Sequence, residues 1–188
     1  MNVNYSRLLL TELPMSLDVG IEGIDLSVNE FTDIDLSKFT ALKKIDLSWN
    51  ELTTYPKLPP TIETINLQGN YIPELPPNRS NQIKRLDLSS NDIVNLDTIG
   101  DYTNIEWLNI SSNFLHTLPS TLASLSKLSY LNLGHNNLSE VSEDWKEIVV
   151  SLDLTELVLD ANVSKETYLY ITTKLPKCKV TWSLDKYL

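Results

Sequence analysis

Apolar residues recur along this chain in a fixed order, clearest from Ile105 to Pro119, Ile-Glu-Trp-Leu-Asn-Ile-Ser-Ser-Asn-Phe-Leu-His-Thr-Leu-Pro. With Ile105 as position 1, apolar side chains fall at positions 1, 4, 6, 11 and 14, and an asparagine falls at position 9. The same skeleton starts at Ile21, Leu42, Ile62, Ile83, Ile105, Leu128 and Leu154, in steps of 21, 20, 21, 22, 23 and 26 residues. Apolar residues alternating at positions 4 and 6 predict a short strand in each unit. One such strand cannot bury its apolar face alone, so the units are expected to stack on one another.

The asparagines at position 9 are Asn29, Asn50, Asn70, Asn91, Asn113, Asn136 and Asn162. The chain must turn sharply out of each strand there, which leaves backbone groups inside the turn without ladder partners. An amide side chain carries donors and an acceptor. It is suited to satisfy groups that would otherwise be buried unpaired, at about 1–3 kcal/mol each, and the column is read as structural.

The returns between strands differ. Tyr55 to Thr61 reads Tyr-Pro-Lys-Leu-Pro-Pro-Thr, and Leu75-Pro76-Pro77 repeats the theme; prolines exclude an α-helix and favour an extended path. The stretch Leu118 to Leu125 has room for a helical turn. Val141 to Leu154 carries Ser142 as a candidate N-cap, acids at Glu143 and Asp144, and Trp145, Ile148 and Val149 at i, i+3, i+4, which predicts a helix with Trp145 in the core. A second helix is expected from about Ser164 to Lys174, ended by Pro176, followed by a last strand in which Cys178 takes position 4 as a buried thiol. Residues 1–20, a worn copy of the repeat with Leu8 in place of the asparagine, read as an N-terminal cap; residues 21–162 hold seven repeats, and residues 163–188 form a C-terminal cap, all in one domain.

The skeleton L-x-x-L-x-L-x-x-N-x-L-x-x-L resembles the leucine-rich repeat family. The Leu-Pro-Pro returns look like its short bacterial-type repeats, and Leu118 to Leu125 looks like its longer typical class. The resemblance covers nearly the whole chain and implies an α/β solenoid: a curved right-handed horseshoe with parallel strands on the concave face and short helical or extended segments on the convex one. It also implies a protein-binding role without catalysis.

Twenty-five acidic against 15 basic residues give a net charge of −10 over 188 residues, which argues against binding phosphate backbones, so nucleic acid is not an expected partner. The single cysteine excludes an intrachain disulfide and favours a reducing compartment. No secretory signal or membrane span is read, so a cytoplasmic or nuclear location is expected and the five Asn-x-Ser/Thr triplets are taken as accidental. The chain is expected to be monomeric when unbound.

Strand residues between the apolar ones should form columns on the concave face. Position 3 brings Lys44, Arg85, Trp107 and Tyr130; position 5 brings Asp46 and Asp87; position 8 brings Trp49 and His135. The acidic column invites a metal reading, but parallel side chains on a flat sheet do not converge oxygens on one point. Lys44 and Arg85 are expected instead to pair with Asp46 and Asp87. Neither His116 nor His135 has a nucleophile and an orienting acid placed around it, and no phosphate loop, dinucleotide turn or metal-ligand spacing occurs, so no enzyme and no cofactor are expected. Trp107 and Tyr130, with His135 close by, are the best candidates for binding a protein partner, because aromatic residues and arginine dominate interface energetics. The plainer alternative is that the two rings stack on each other without a partner. Two roles follow: an intracellular adaptor, inhibitor or regulatory subunit, or an effector-like or viral module recognising a host target in the host cytoplasm.

Overall fold

A computed structural model describes residues 1–77, 82–138, 144–160 and 163–182. Among the described residues nine strands, β1 (Asn2–Asn4), β2 (Gly23–Asp25), β3 (Lys44–Asp46), β4 (Thr64–Asn66), β5 (Arg85–Asp87), β6 (Trp107–Asn109), β7 (Tyr130–Asn132), β8 (Glu156–Leu159) and β9 (Lys179–Trp182), form one parallel sheet in chain order. Like positions stand opposite like positions: Lys44 pairs with Thr64, Thr64 with Arg85, Arg85 with Trp107, and Trp107 with Tyr130. The fold is the α/β leucine-rich-repeat solenoid.

Position 4 points inward from every strand. Ile24, Ile45, Ile65, Leu86, Leu108, Leu131 and Leu157 are all buried, and the residues at positions 1, 6 and 11 line the same continuous core. The Pro-rich return is extended, as its composition predicts: Leu36 donates to the Lys57 carbonyl at 2.8 Å, and Lys57 to the Ile34 carbonyl at 3.2 Å, so adjacent returns pair by backbone. A 3-10 turn, Ser120–Ser124, occupies the longer return, and a second, Ile99–Asp101, lies one repeat earlier. Tyr102 follows that turn, buried, its hydroxyl donating to the Pro76 carbonyl at 2.8 Å. The pattern of the chain gives no hint of this link between the two kinds of return.

Helix α1 (Trp145–Val150) begins after Asp144, and Trp145 and Val149 are buried; the expected cap Ser142 and its neighbours Val141 and Glu143 lie outside the described residues. Helix α2 (Lys165–Lys174) is capped by the Ser164 hydroxyl, which accepts from the Thr167 N–H at 3.1 Å. Cys178 needs a correction. Val180, not Cys178, stands opposite Leu157, because the return through α2 is two residues longer than a 21-residue step. Cys178 therefore precedes the strand and is half-buried; burial first, and then the charge of Glu156, hold its thiol above the ordinary range.

Six asparagines of the turn column are described, and each bridges two repeats. Asn113 donates to the carbonyls of Leu88, one repeat back, at 2.9 Å and Ile110, in its own repeat, at 3.1 Å, while its carbonyl accepts from the Ile93 N–H at 3.0 Å. Asn50, Asn70, Asn91 and Asn136 make the same three contacts with the corresponding residues. Asn29 reaches into the N-terminal segment, accepting from Leu8 and Leu10 at 3.0 Å. Asn162 lies outside the described residues.

The residue before each asparagine adopts a left-handed backbone: Val28, Trp49, Gly69, Ser90, Ser112 and His135 have φ between 55° and 69°. Only Gly69 is suited to it, and each of the others carries a cost of about 1–2 kcal/mol. The turn is nevertheless held, since each of these N–H groups except that of His135 donates to a carbonyl of the next repeat, as Trp49 does to Gln68 at 2.7 Å.

Two substitutions separate these contributions. Asn113→Ala orphans buried groups on two repeats and should cost at least about 2–3 kcal/mol in urea unfolding. Ser112→Gly should be neutral or stabilising by up to about 1 kcal/mol, while Ser112→Val destabilises by about 1 kcal/mol. Equal effects of Gly and Val would remove the left-handed turn from the account.

Candidate functional site

The sheet face away from the core carries positions 3 and 5. At position 3, Arg85, Trp107 and Tyr130 stand side by side on β5, β6 and β7. The Arg85 guanidinium lies 3.4 Å from the Trp107 ring centroid, and the Trp107 and Tyr130 rings stack with centroids 4.7 Å apart and planes 8° from parallel. Both rings are half-buried by this stacking. Glu156, next in the row, pairs with Lys179 at 2.8 Å. Burial, followed by the charge of Glu156, holds the Tyr130 phenol above its ordinary range, so it stays a neutral donor. A continuous row of cation, two rings, acid and cation thus crosses five strands.

Arg85 does not pair with Asp87, nor Lys44 with Asp46, as the sequence suggests. The carboxylates are already engaged: Asp46 accepts from the Ser48 N–H at 2.9 Å and the Asn66 amide at 3.0 Å, and Asp87 from the Ser89 N–H at 3.0 Å and the Asn109 amide at 3.2 Å. Each acid fixes the backbone two residues on and ties its strand to the next. Freed of Asp87, Arg85 takes the aromatic face beside it. That contact was available in the sequence, since Arg85 and Trp107 share position 3 on adjacent strands. Lys44 remains exposed, at the rim of an open trough of about 520 Å³ over β1 to β5 whose floor includes Gly23.

Strands β1 to β7 end at position 5, so position 8 lies beyond the sheet face, on its rim. His135 does not join the rings. Its side chain is exposed, its Nδ1 stands 3.4 Å from the Asp160 carboxylate, and its backbone N–H donates to the same oxygen. Trp49 is also on the rim, resting against Gly69. The geometry therefore brings together Arg85, Trp107 and Tyr130 and leaves Lys44, Trp49 and His135 apart from them. Tyr71, 57% exposed beside Gly69, is an aromatic that the strand columns could not reveal. Its signal is an aromatic at position 10, where neighbouring repeats have Glu51 and Asp92.

Comparison with known proteins finds the same class of repeat. The family described as Leucine rich repeat matches residues 81–138. The human oligodendrocyte-myelin glycoprotein is 31% identical over 168 residues, covering 86% of this chain and 37% of that protein. Adenylate cyclase of Schizosaccharomyces pombe is 31% identical over 164 residues, 79% of this chain but 10% of the enzyme. Among solved structures, the leucine-rich-repeat domain of a Shigella effector superposes with a TM-score of 0.74 at 22% identity, over 98% of this chain and 82% of that one; this likeness concerns the fold. The chain belongs to the leucine-rich-repeat proteins, a family in general non-catalytic whose members mediate protein–protein interaction. It spans about a third of the length of the first curated relatives it matches. Among the described residues no helix is long and apolar enough to cross a membrane.

A double-mutant cycle tests the row. Arg85→Ala with Trp107→Ala should show a coupling of about 0.5–1 kcal/mol in urea unfolding, and Arg85→Ala with Asp87→Asn close to none. The reverse order of couplings would restore the ion pair.

Proposed function

We propose that this chain is a non-catalytic interaction module, an adaptor, inhibitor or regulatory subunit, that holds a protein partner against the open face of its sheet. The observation that carries the reading is the Arg85–Trp107–Tyr130 row. A guanidinium and two rings already ordered against each other lose little side-chain freedom on binding, which is the preorganisation that makes aromatic and arginine anchors effective. Lys44, Asp46 and Asp87 supply polar contacts around this centre; Trp49 and His135 stand outside it, on the rim. Nine strands at about 4.8 Å spacing give a face roughly 38 Å long, enough for a standard interface. In this reading residues 21–162 supply the stacked repeats and the segments on either side cap them. The chain works as a monomer until bound, takes no cofactor and does not bind nucleic acid. Its one cysteine, kept as a thiol, suits a reducing cytoplasmic or nuclear setting.

A second reading, an effector-like or viral module directed at a host protein, is favoured by the extended Leu-Pro-Pro returns around Pro59 and Pro76. The two readings differ in whose protein is captured. Affinity capture from the source cell should recover a partner under the first, and capture from a host lysate under the second.

With the partner in hand, Trp107→Ala combined with Tyr130→Ala should weaken binding at least about tenfold, roughly 1.4 kcal/mol. The stack's loss should cost only about 1 kcal/mol of stability, against about 2–5 kcal/mol for the core control Leu108→Ala. Unchanged affinity in the double variant would move the partner off the strand face.

A further inference from the structure

Trp49 differs from the other three tryptophans. Trp107 lies between Arg85 and Tyr130, Trp182 stacks on Tyr168 with centroids 4.7 Å apart, and Trp145 is buried. Trp49 is 55% exposed, and among the described residues no ring or cation meets its indole. Its ring lies against the next turn. The left-handed turn sets its backbone at φ 56°, and its ring rests so close to Gly69 that a Cβ there would stand 2.7 Å from the indole Cε3. Beside it lies a depression of about 380 Å³ lined by Glu51, Gly69, Tyr71 and Ser90. Tyr71 is likewise exposed and unstacked among the described residues.

The rim around these two rings is acidic. Position 10 of four successive repeats reads Glu30, Glu51, Tyr71 and Asp92. All three carboxylates are exposed, and none has an ion pair among the described residues. An apolar partner surface would have to desolvate these acids without return, and an acidic one would be repelled. A guanidinium satisfies both features together, because its flat, weakly hydrated face stacks on an aromatic ring while its edge N–H groups donate to carboxylates. The chain makes the first of these contacts internally, with Arg85 on Trp107.

We propose that the rim formed by Trp49, Tyr71, Glu30, Glu51 and Asp92 is a second docking surface, specific for an arginine-bearing segment of a protein partner. The guanidinium lies on an exposed ring and donates to the flanking carboxylates. The net charge of −10 draws basic segments toward the chain, and the rings select arginine over lysine. This surface is distinct from the strand-face row and does not depend on it.

The test is an NMR titration of the whole chain with a capped decapeptide of alternating arginine and glycine, beside its lysine and glutamate analogues. The arginine peptide should give saturable shifts confined to the Trp49 indole N–H, Gly69 and Tyr71, with the lysine peptide at least about threefold weaker and the glutamate peptide inert. Trp49→Ala with Tyr71→Ala should weaken binding about tenfold or more, and Glu51→Gln with Asp92→Asn about threefold or more. Trp107→Ala with Tyr130→Ala should leave it unchanged, so the rim and the strand face succeed or fail separately. The proposal is overturned by absence of shifts, by shifts spread over all surface acids, by lysine binding as well as arginine, or by self-association of the chain through Trp49 and Tyr71.

Discussion

A parallel strand of three residues must be left almost as soon as it is entered, and leaving it strands backbone groups in the interior. The carbonyls of position 6 and the N–H groups of position 11 lie where water does not reach, and an unpaired buried group is more costly than a typical hydrogen bond is helpful. The described asparagines at position 9 meet that demand with one side chain per turn. Asn50, Asn70, Asn91, Asn113 and Asn136 each link two position-6 carbonyls and one position-11 N–H across two repeats, so the turn of one repeat is complete only when its neighbour is in register. Leucines supply the free energy of burial, but a leucine column alone would tolerate sliding; the amide does not.

The same turn shapes the surface. Reaching the asparagine requires a left-handed residue just before it, and that residue is carried off the sheet onto the rim. Two surfaces of different character result. The strand face displays side chains in parallel rows, where identical positions lie side by side and rings can stack. The rim displays residues at angles set by strained turns, where the Trp49 ring can lie against the next turn only because Gly69 has no Cβ there.

Most of the architecture was legible in the sequence, because a repeat states its own register. Once Ile45 and Ile65 are assigned position 4, the partners of Lys44 and Asp46 follow without further information. Two kinds of feature were not legible. Side-chain choice within the face was one: periodicity shows that Arg85 is near both Asp87 and Trp107, but not that Ser89 and Asn109 occupy the carboxylate first. Backbone conformation beyond the strand was the other. Period-two alternation carried to position 8 puts Trp49 and His135 on the strand face, but β3 and β7 stop at position 5 and His135 turns to Asp160. At the C-terminus the α2 return lengthened the last step, and Cys178 fell out of register for that reason.

The most direct test of the central claim is native-state hydrogen exchange at the amides of Leu52, Ile72, Ile93 and Leu115, which donate to asparagine side chains rather than to backbone. If the amide column locks the stack, these N–H groups exchange only through the large-scale opening that also releases the backbone-paired amides of Leu67 and Leu88, just past the ends of β4 and β5, with the same dependence on denaturant. Fast exchange at these four amides, insensitive to denaturant while the strands stay protected, would show that the turns open locally. The asparagines would then decorate a stack held by leucine burial alone.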